Sequence, residues 1–397
     1  MNARLIIPLL ALTAASLQAD VTLPALFSDH MVLQQGIDLP VWGWADAGEE
    51  VTVKLGNAHQ SATADAEGKW MVKLPKQSPG DATALTISGK NEITIQDVLI
   101  GEVWLGSGQS NMAMTVSRAQ DFEAEQAKSD LPRIRHFKEN SGSAKEPQKQ
   151  GKGEWVVCTP DTVGGFSATL FFFGREIHSS VGVPVGLINS SVGGTPIEAW
   201  IEPKTQRAEP SLKPFFDIAA KTTARMTSPQ AIAQYEKQLA AWETKAATAK
   251  AANKPAPKTP QDPRQVAARK GDIGGLFNGK IAPLIPYAIK GALWYQGEAN
   301  STTEKAPFYQ HQLPLLVTDW RERWGYDFPF AWAQLPNYLG TGRDWPTMRE
   351  AFLKTLSLPK TGMGINIDVG DPKDIHPKNK QAVGHRLALW ALGTVYG

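Results

Sequence analysis

The sequence has little cysteine: Cys158 is the single one among 397 residues. One thiol cannot form an internal disulfide, so a small scaffold stabilised by disulfides is excluded. The surrounding stretch WVVCTP supplies no neighbouring base that would activate a thiolate. We therefore interpret Cys158 as a packed strand residue.

The sequence also has no large excess of positive or negative charge. Forty-one lysine and arginine residues balance 39 acidic ones, for a formal net charge of +2, and no basic stripe runs along the chain. A nucleic-acid-binding surface needs such a stripe to follow a phosphate backbone. We expect no nucleic-acid partner.

The longest apolar run lies in the first 19 residues, where Arg4 precedes an apolar core and the small residue Ala19 stands before Asp20. This pattern is typical of a secretory signal peptide. The run is shorter than the ~20 residues needed to span a bilayer, so we expect no membrane anchor. The mature protein is predicted to be periplasmic or secreted.

Metal and cofactor motifs are absent as well. No HExxH, no paired cysteines and no GxGxxG after a strand occur, and GDPKD lacks the further acidic ligands of a calcium loop. The sequence therefore implies neither a metal nor another cofactor. It carries no signal for the oligomeric state.

Two patterns divide the rest of the chain. Residues 20–96 contain short alternating stretches such as EVTVKLG and KWMVKLP, separated by turn signals, which predict a small antiparallel β-sandwich domain. Residues 97–397 alternate apolar strands with amphipathic helices. Such alternation predicts an α/β domain with a parallel sheet and helices on both faces.

An insertion at about residues 203–275 interrupts the second pattern. It consists of a polar, alanine-rich helix followed by the proline-rich stretch NKPAPKTPQDPRQ, which cannot continue a helix. Two interpretations stay open: the insertion forms a wall of a cleft, or it is a surface addition without a role in the site.

The stretch GSGQSNM, residues 106–112, follows the apolar run VLIGEVWL. Gly106 and Gly108 permit a sharp turn that would lift Ser110 out of the sheet, where a nucleophile would lie. In open parallel sheets, ligands bind beyond the carboxyl ends of the strands. Ser110 occupies such a position.

Ester hydrolysis through a serine also needs a base and a group that orients the base. His376 is the candidate base, since it follows the predicted strand GMGINID near the same sheet edge. Asp374 is the acid nearest to it in sequence. Asp371 and Glu298 remain alternatives for the orienting carboxylate.

Donors for the oxyanion follow two other strands. We expect the backbone N–H groups of Ser110 and of one of the paired glycines, Gly193 or Gly194, to contribute, together with a side-chain amide of the QGEAN turn, Gln296 or Asn300. Further residues near these turns are candidates for binding the substrate: Asn111, Gln334, Trp345 and Arg349. The aromatic residues Trp200, Trp294, Tyr295 and Trp345 could stack on sugar rings, with core packing as the alternative.

Four blocks together resemble a known family: GSGQSNM, SSVGGTPIEAW, GALWYQGEAN and DIHPKNKQAVGHRLA, joined by the N-terminal motif LFSDHMVLQQG. They are similar to the sialate O-acetylesterase-like branch of the SGNH hydrolases. The resemblance implies an SGNH-like fold and a cofactor-independent serine esterase with Ser110 as nucleophile and His376 as base. It also implies an oxyanion hole formed by Gly194 and the amides of QGEAN, of which Gln296 is favoured over Asn300 because it is nearer the strand end. One departure leaves the orienting acid open, because Lys373 stands three residues before His376, where the general pattern has an aspartate.

The substrate implied by the resemblance is an acetylated carbohydrate, either a sialic acid or a plant cell-wall polysaccharide such as xyloglucan or xylan. Two rival functions remain at this point: a non-catalytic glycan-binding protein, and an SGNH lipase or esterase that acts on other acyl esters. The lack of a long apolar lid segment favours the sugar esterase over a lipase.

Overall fold

A computed structural model describes residues 20–270 and 273–397 of the chain. The predicted signal peptide, residues 1–19, lies outside the described residues. Within them, no helix is long and apolar enough to cross a membrane.

The elements are numbered in chain order along the described residues. The strands are β1 Val32–Gln34, β2 Leu39–Trp44, β3 Glu50–Leu55, β4 Ala58–Thr63, β5 Lys69–Leu74, β6 Thr83–Ser88, β7 Glu92–Gly108, β8 Leu131–Lys138, β9 Trp155–Cys158, β10 Val185–Ser191, β11 Gly291–Tyr295, β12 Phe330–Ala333 and β13 Thr361–Gly364. The helices are α1 Ser110–Ala113, α2 Phe122–Gln126, α3 Ala168–Val181, α4 Pro203–Ala208, α5 Lys213–Met226, α6 Pro229–Ala251, α7 Pro263–Lys270, α8 Tyr309–Trp324, α9 Trp345–Thr355 and α10 Lys380–Ala391.

The central sheet has the strand order β13-β12-β11-β7-β10-β8-β9. Its pairs are parallel except for β8 with β9, which is antiparallel. Side chains along a strand point alternately to the two faces. In β11, Trp294 accordingly packs into the core beneath α8 and α9, while Leu293 packs into the core beneath α3 and α10. The predicted α/β fold, with a parallel sheet and helices on both faces, is confirmed.

The N-terminal strands form antiparallel pairs, β2 with β5, β3 with β4 and β6, and β6 with β7. Strand β7 is 17 residues long. Its first half pairs with β6, and its second half lies between β10 and β11 in the parallel sheet. The predicted boundary between residues 96 and 97 falls inside β7, and the division into two domains stays a prediction.

The predicted insertion folds as helices α4 to α7. Helix α6 buries no side chain, whereas α5 buries Phe215, whose ring lies 5.6 Å from that of Phe308. Cys158 is buried at the end of β9, as predicted, and burial raises the pKa of its thiol to about 12.

Candidate active site

The turn that carries Ser110 follows directly from the glycine at the end of β7. Gly108 has a φ of +130°, and a Cβ at this position would collide with the carbonyl of Tyr295 on β11. The next residue, Gln109, donates its N–H to that same carbonyl at 3.0 Å. The close approach of the two strands therefore requires glycine and turns the chain so that Ser110 begins helix α1.

The structure brings His376 to this turn across 266 residues of sequence. Its Nε2 lies 2.8 Å from Ser110 Oγ, which is a normal hydrogen-bond distance. Partial burial lowers the pKa of His376 from its ordinary value, although Asp374 acts in the opposite direction. The imidazole is consequently neutral at neutral pH and can accept the serine proton.

Of the three carboxylates predicted to orient the base, only Asp374 lies beside the imidazole. Its Oδ1 is 3.5 Å from His376 Nδ1 and accepts the backbone N–H of His376 at 2.9 Å. Asp371 instead accepts the N–H of Lys373 at 2.8 Å, and Glu298 is bonded to Asn111. The Asp374 side chain is 51% exposed, so this contact is long and solvated.

The first of the two glycines after β10 lies beside the nucleophile. A Cβ on Gly193 would lie 3.5 Å from Ser110 Cβ, an ordinary contact, so the backbone passes directly beside the serine. Gly194 follows with a φ of +73°. Because Ser110 is the first residue of α1, its N–H has no partner within the helix.

The two amides of the QGEAN turn differ in how they are bonded. Asn300 Nδ2 donates to Glu198 at 2.7 Å, and its Oδ1 accepts from the backbone of Ile197 and from Gln296 Nε2. Gln296 Nε2 has further acceptors at 3.2 Å, the Gln109 side chain and the Thr195 carbonyl. Both amides are buried. Asn300 Nδ2 thus has one acceptor for its two hydrogens, whereas Gln296 Nε2 has three, and the choice of Gln296 as the oxyanion donor stays a prediction.

A buried polar cluster lies behind the Ser110 turn. Asn111 Oδ1 accepts from Lys380 Nζ at 2.6 Å, and Asn111 Nδ2 donates to the Glu298 carboxylate and, at 3.0 Å, to the carbonyl of Ile375. Asn111 and Lys380 have no exposed surface, and Glu298 is 2% exposed. Burial lowers the pKa of Lys380 to about 7 and raises the pKa of Glu298.

Two concave surfaces flank the strand end that carries Ser110, on opposite faces of the sheet. On the α8 side, helix α5 and the turns after β10 and β11 enclose a cavity of about 290 Å³; its lining includes Gly194, Phe215, Ile218, Met226 and Ala299. On the α3 side, a polar groove of about 460 Å³ reaches the base; its lining includes Arg118, Asp374, His376 and Lys378. Helix α5 of the insertion therefore lines this cavity, and a role of the insertion at the site stays a prediction.

Comparison with known proteins places this site in a family. The family model described as "Carbohydrate esterase, sialic acid-specific acetylesterase" matches residues 100–233 and 279–392, segments that contain Ser110, Gln296 and His376. The chain belongs to this family. It is a carbohydrate O-acetylesterase.

Individual relatives agree with that assignment. The chain is 28% identical to the sialate O-acetylesterase of Mus musculus, over 93% of this chain and 72% of the relative, and 27% identical to that of Homo sapiens, over 99% and 74%. A carbohydrate acetylesterase from Xanthomonas citri has a similar structure, with a TM-score of 0.78 and 33% identity over 95% of this chain and 76% of that one.

Three of the four predicted substrate-binding side chains of the acetylesterase are buried. Trp345 is 6% exposed, and its Nε1 donates to the carbonyl of Pro336. Asn111 is fully engaged in the buried cluster, and Gln334 is 4% exposed. The Arg349 guanidinium donates to the carbonyls of Leu335 and Pro336. Tertiary packing thus buries Trp345, Asn111 and Gln334, whereas Arg349 is half-buried, and a role of these four residues in binding the substrate stays a prediction.

The predicted aromatic platforms are likewise inside the protein. Trp200, Trp294 and Tyr295 have no exposed surface. Core packing was the correct alternative for these residues. The prediction also missed Lys380, because nothing in the stretch KNKQAVGH distinguishes a buried lysine from the exposed Lys378 two residues earlier.

Proposed function

We propose that this acetylesterase removes O-acetyl groups from sugars through an acetyl-Ser110 intermediate. The observation that carries the proposal is the 2.8 Å contact between Ser110 Oγ and His376 Nε2 at the carboxyl edge of the parallel sheet. This geometry suits proton transfer from a hydroxyl to a neutral imidazole. No described group of three or more His, Cys, Asp or Glu side chains could hold a metal ion.

In the first half of the reaction, His376 Nε2 takes the proton of Ser110 as Oγ attacks the acetyl carbonyl carbon. The carbonyl oxygen becomes an oxyanion, which accepts hydrogen bonds from the backbone N–H groups of Ser110 and Gly194, with a side-chain amide of the QGEAN turn, Gln296 or Asn300, as the adjoining donor. Each such donor typically contributes about 3 kcal/mol to the transition state. The C–O bond to the sugar then breaks, and His376 returns the proton to the leaving sugar oxygen.

The second half repeats these steps with water. His376 removes a proton from a water molecule, the resulting hydroxide attacks the acetyl carbon, and the Ser110 ester bond breaks to release acetate and the free serine. Asp374 is the acid nearest His376 Nδ1 and is the candidate for orienting the ring. Because the leaving sugar must reach His376, the polar groove lined by Arg118 and Lys378 is the place for its ring.

The substrates we propose are acetylated sialic acids or acetylated plant cell-wall polysaccharides such as xyloglucan and xylan. The names of the similar proteins support the first class, and the open groove beside His376 is compatible with both. Acetate release from O-acetylated sialic acids, xylan, xyloglucan and pectin decides between them. Turnover of long-chain acyl esters above that of acetyl esters would instead favour a lipase-like enzyme.

The serine mechanism is tested by comparing Ser110→Ala with Ser107→Ala. Ser107 lies in the same strand end, and its buried hydroxyl has no hydrogen-bond partner among the described residues, so its removal deletes one oxygen without consequence for the site. We expect Ser110→Ala to lose at least about 10³-fold in turnover and Ser107→Ala to retain wild-type activity. Residual activity of Ser110→Ala above about a tenth of wild type would exclude Ser110 as nucleophile.

We also propose that the enzyme is exported to the periplasm or beyond the cell. The support is the N-terminal pattern of Arg4, an apolar core and Ala19. Cell fractionation of the full chain and of a variant lacking residues 1–19 tests this. An equal distribution of the two between compartments would refute export.

A further inference from the structure

The side chain of Asn111 connects the segments on either side of the reacting pair. Asn111 follows the nucleophile Ser110 in the chain. Its Nδ2 donates at 3.0 Å to the carbonyl of Ile375, the residue before the base His376. The same amide is bonded to Glu298 after β11 and to Lys380 at the start of α10. Three chain segments that meet at the sheet edge are thus held by one buried amide.

Lys380 reaches this amide because of how α10 begins. Asn379 caps the helix by accepting the N–H of Ala382 at 3.0 Å, so Lys380 is the first helical residue. Side chains on a helix point back towards its N-terminus, which directs Lys380 under the loop that carries His376. Its ammonium lies 5.0 Å from the centre of the Tyr295 ring and has no exposed surface.

A buried ammonium is costly unless it is compensated. Here the compensation comes from Asn111 and from the nearby charge of Glu298, a carboxylate that is itself buried and bonded to Asn111. Arg343 also donates to the backbone carbonyl of Glu298. Asn111, Lys380 and Glu298 therefore depend on one another. Because all three side chains are buried, water cannot take the place of a partner that is lost.

We propose that Asn111 is a positioning residue that holds the Ser110 turn and the His376 loop at hydrogen-bonding distance, with Lys380 and Glu298 holding Asn111. None of the three touches the reacting atoms in this arrangement. The inference rests on Ser110 and His376 being the nucleophile and the base. A misplacement of about 1 Å between reacting groups can cost 10²-fold in rate, so the effect of losing the amide is measurable.

Only the side chain of Asn111 separates the Lys380 ammonium from the loop that carries His376, since Asn111 bonds both Lys380 Nζ and the carbonyl of Ile375, so the charge of Lys380 has a second consequence. Three charged groups act on His376: Asp374 raises its pKa, whereas Lys380 and Arg118 lower it. Lys380 in turn faces Glu298 and Asp374, which favour its protonated form, and Arg118, which opposes it. Below pH 7 Lys380 carries its charge, so it keeps the base neutral in the range where His376 titrates. Removing that charge should move the acidic limb of the activity profile to higher pH.

The experiment measures acetate release across pH for Asn111→Leu, Lys380→Met and Lys380→Arg. Asn111→Leu loses every contact of the amide at similar volume, and we expect kcat to fall about 10²-fold with KM within about threefold of wild type. Lys380→Met should lower kcat roughly tenfold and shift the acidic limb to higher pH. Lys380→Arg keeps the positive charge, so its acidic limb should stay at the wild-type position.

Lys373→Met is the matched control, since it removes an exposed lysine of the same loop, and its profile should remain that of wild type. Thermal melting establishes that each variant is folded. If Asn111→Leu does not fold, Asn111→Asp takes its place in the experiment, because it removes the donated hydrogens at constant size. A folded Asn111 variant with kcat within about threefold of wild type would overturn the positioning role. An unmoved acidic limb in Lys380→Met would overturn the role of the charge.

Ser110→Ala in the same assay separates the two levels of inference. If Ser110→Ala is inactive while the Asn111 and Lys380 variants behave as wild type, the positioning inference alone fails. If Ser110→Ala remains active, the proposed nucleophile itself is wrong.

Discussion

Replacing Asp374 with asparagine measures how much its half-exposed carboxylate contributes to the catalytic rate through His376. The substitution keeps the size of the side chain and leaves an oxygen that can still accept the N–H of His376, now 2.9 Å from Asp374 Oδ1. It removes only the charge beside Nδ1. The fold should therefore be unchanged, and the kinetic effect reports on the contact with the ring.

The size of the effect follows from the contact geometry. Charge-assisted hydrogen bonds measure about 2.7–2.9 Å, whereas Asp374 Oδ1 lies 3.5 Å from His376 Nδ1 with half of the side chain in solvent. Ion pairs of this exposed kind contribute at most about 1 kcal/mol. That corresponds to about a fivefold loss of kcat, far from the ~10⁴-fold loss in triads with a buried acid.

The dependence of activity on pH provides a second test, because the direction in which the profile moves does not depend on the size of the rate loss. The negative charge of Asp374 raises the pKa of His376, so Asp374→Asn should lower that pKa and move the acidic limb of kcat/KM to lower pH. The effect should weaken at high ionic strength, because exposed charges are screened. Asp371→Asn is the matched control and should leave both rate and profile unchanged, since its carboxylate caps Lys373 instead.

Initial rates of acetate release over a pH range, at low and high salt, test these expectations together. A loss of more than about 10²-fold in a folded Asp374→Asn protein would refute the reasoning, because it would require an acid as tightly held as in a buried triad. A profile displaced to higher pH would contradict the assigned sign.

Three further predictions concern the scaffold. Gly108→Ala should melt at a lower temperature and lose most of its activity, since its Cβ would collide with the Tyr295 carbonyl; wild-type turnover would contradict this. Lys280→Met should lower the free energy of unfolding by about 3–5 kcal/mol, because the Glu139 carboxylate loses the charged partner that lies 2.7 Å away and its side chain has no exposed surface. A loss below about 1 kcal/mol in urea denaturation would refute this prediction. Burial lowers the pKa of Lys380 to about 7 in the folded protein, whereas a lysine in the unfolded chain has a pKa of about 10.4. Between these two pH values the unfolded state therefore binds more protons than the folded state. The free energy of unfolding should rise between about pH 7.5 and 9.5 in wild type, and an equal rise in Lys380→Met would contradict the assignment.

The sequence predicted the elements that gather the site, because the signals involved are local. Alternating apolar strands and amphipathic helices predict a parallel sheet, and a parallel sheet brings the residues after its strands to one edge. Ser110 and His376 were named on that basis, and the structure places them in contact. The glycine turn at Gly108 is equally local, since a single residue determines which backbone angles are available.

Burial was the property that the sequence could not reveal. Trp345 stands in the polar stretch GTGRDWP, which suggests a loop, but Asp344 caps helix α9 by accepting the N–H of Thr347, and the helix carries the indole into the core. Lys373 and Lys380 look alike in a sequence, yet one is exposed and the other has no exposed surface. Such differences depend on which helix packs over which strand, a property of the whole fold.

Strand β7 connects the N-terminal strands to the nucleophile, with Asp97 in its middle at a φ of +54°. Seventeen residues at about 3.3 Å each give it a length of roughly 56 Å, from its pairing with β6 to the turn before Ser110. Cutting the chain at residue 96 to isolate a catalytic unit would divide this strand, separate Val98 from its partner Thr83 in β6, and remove β1, which pairs with Leu99–Gly101. Exchange of the N-terminal module with that of a relative would therefore succeed only if the splice preserved the register of β7, since a shift by one residue turns every side chain of the central strand to the wrong face of the sheet.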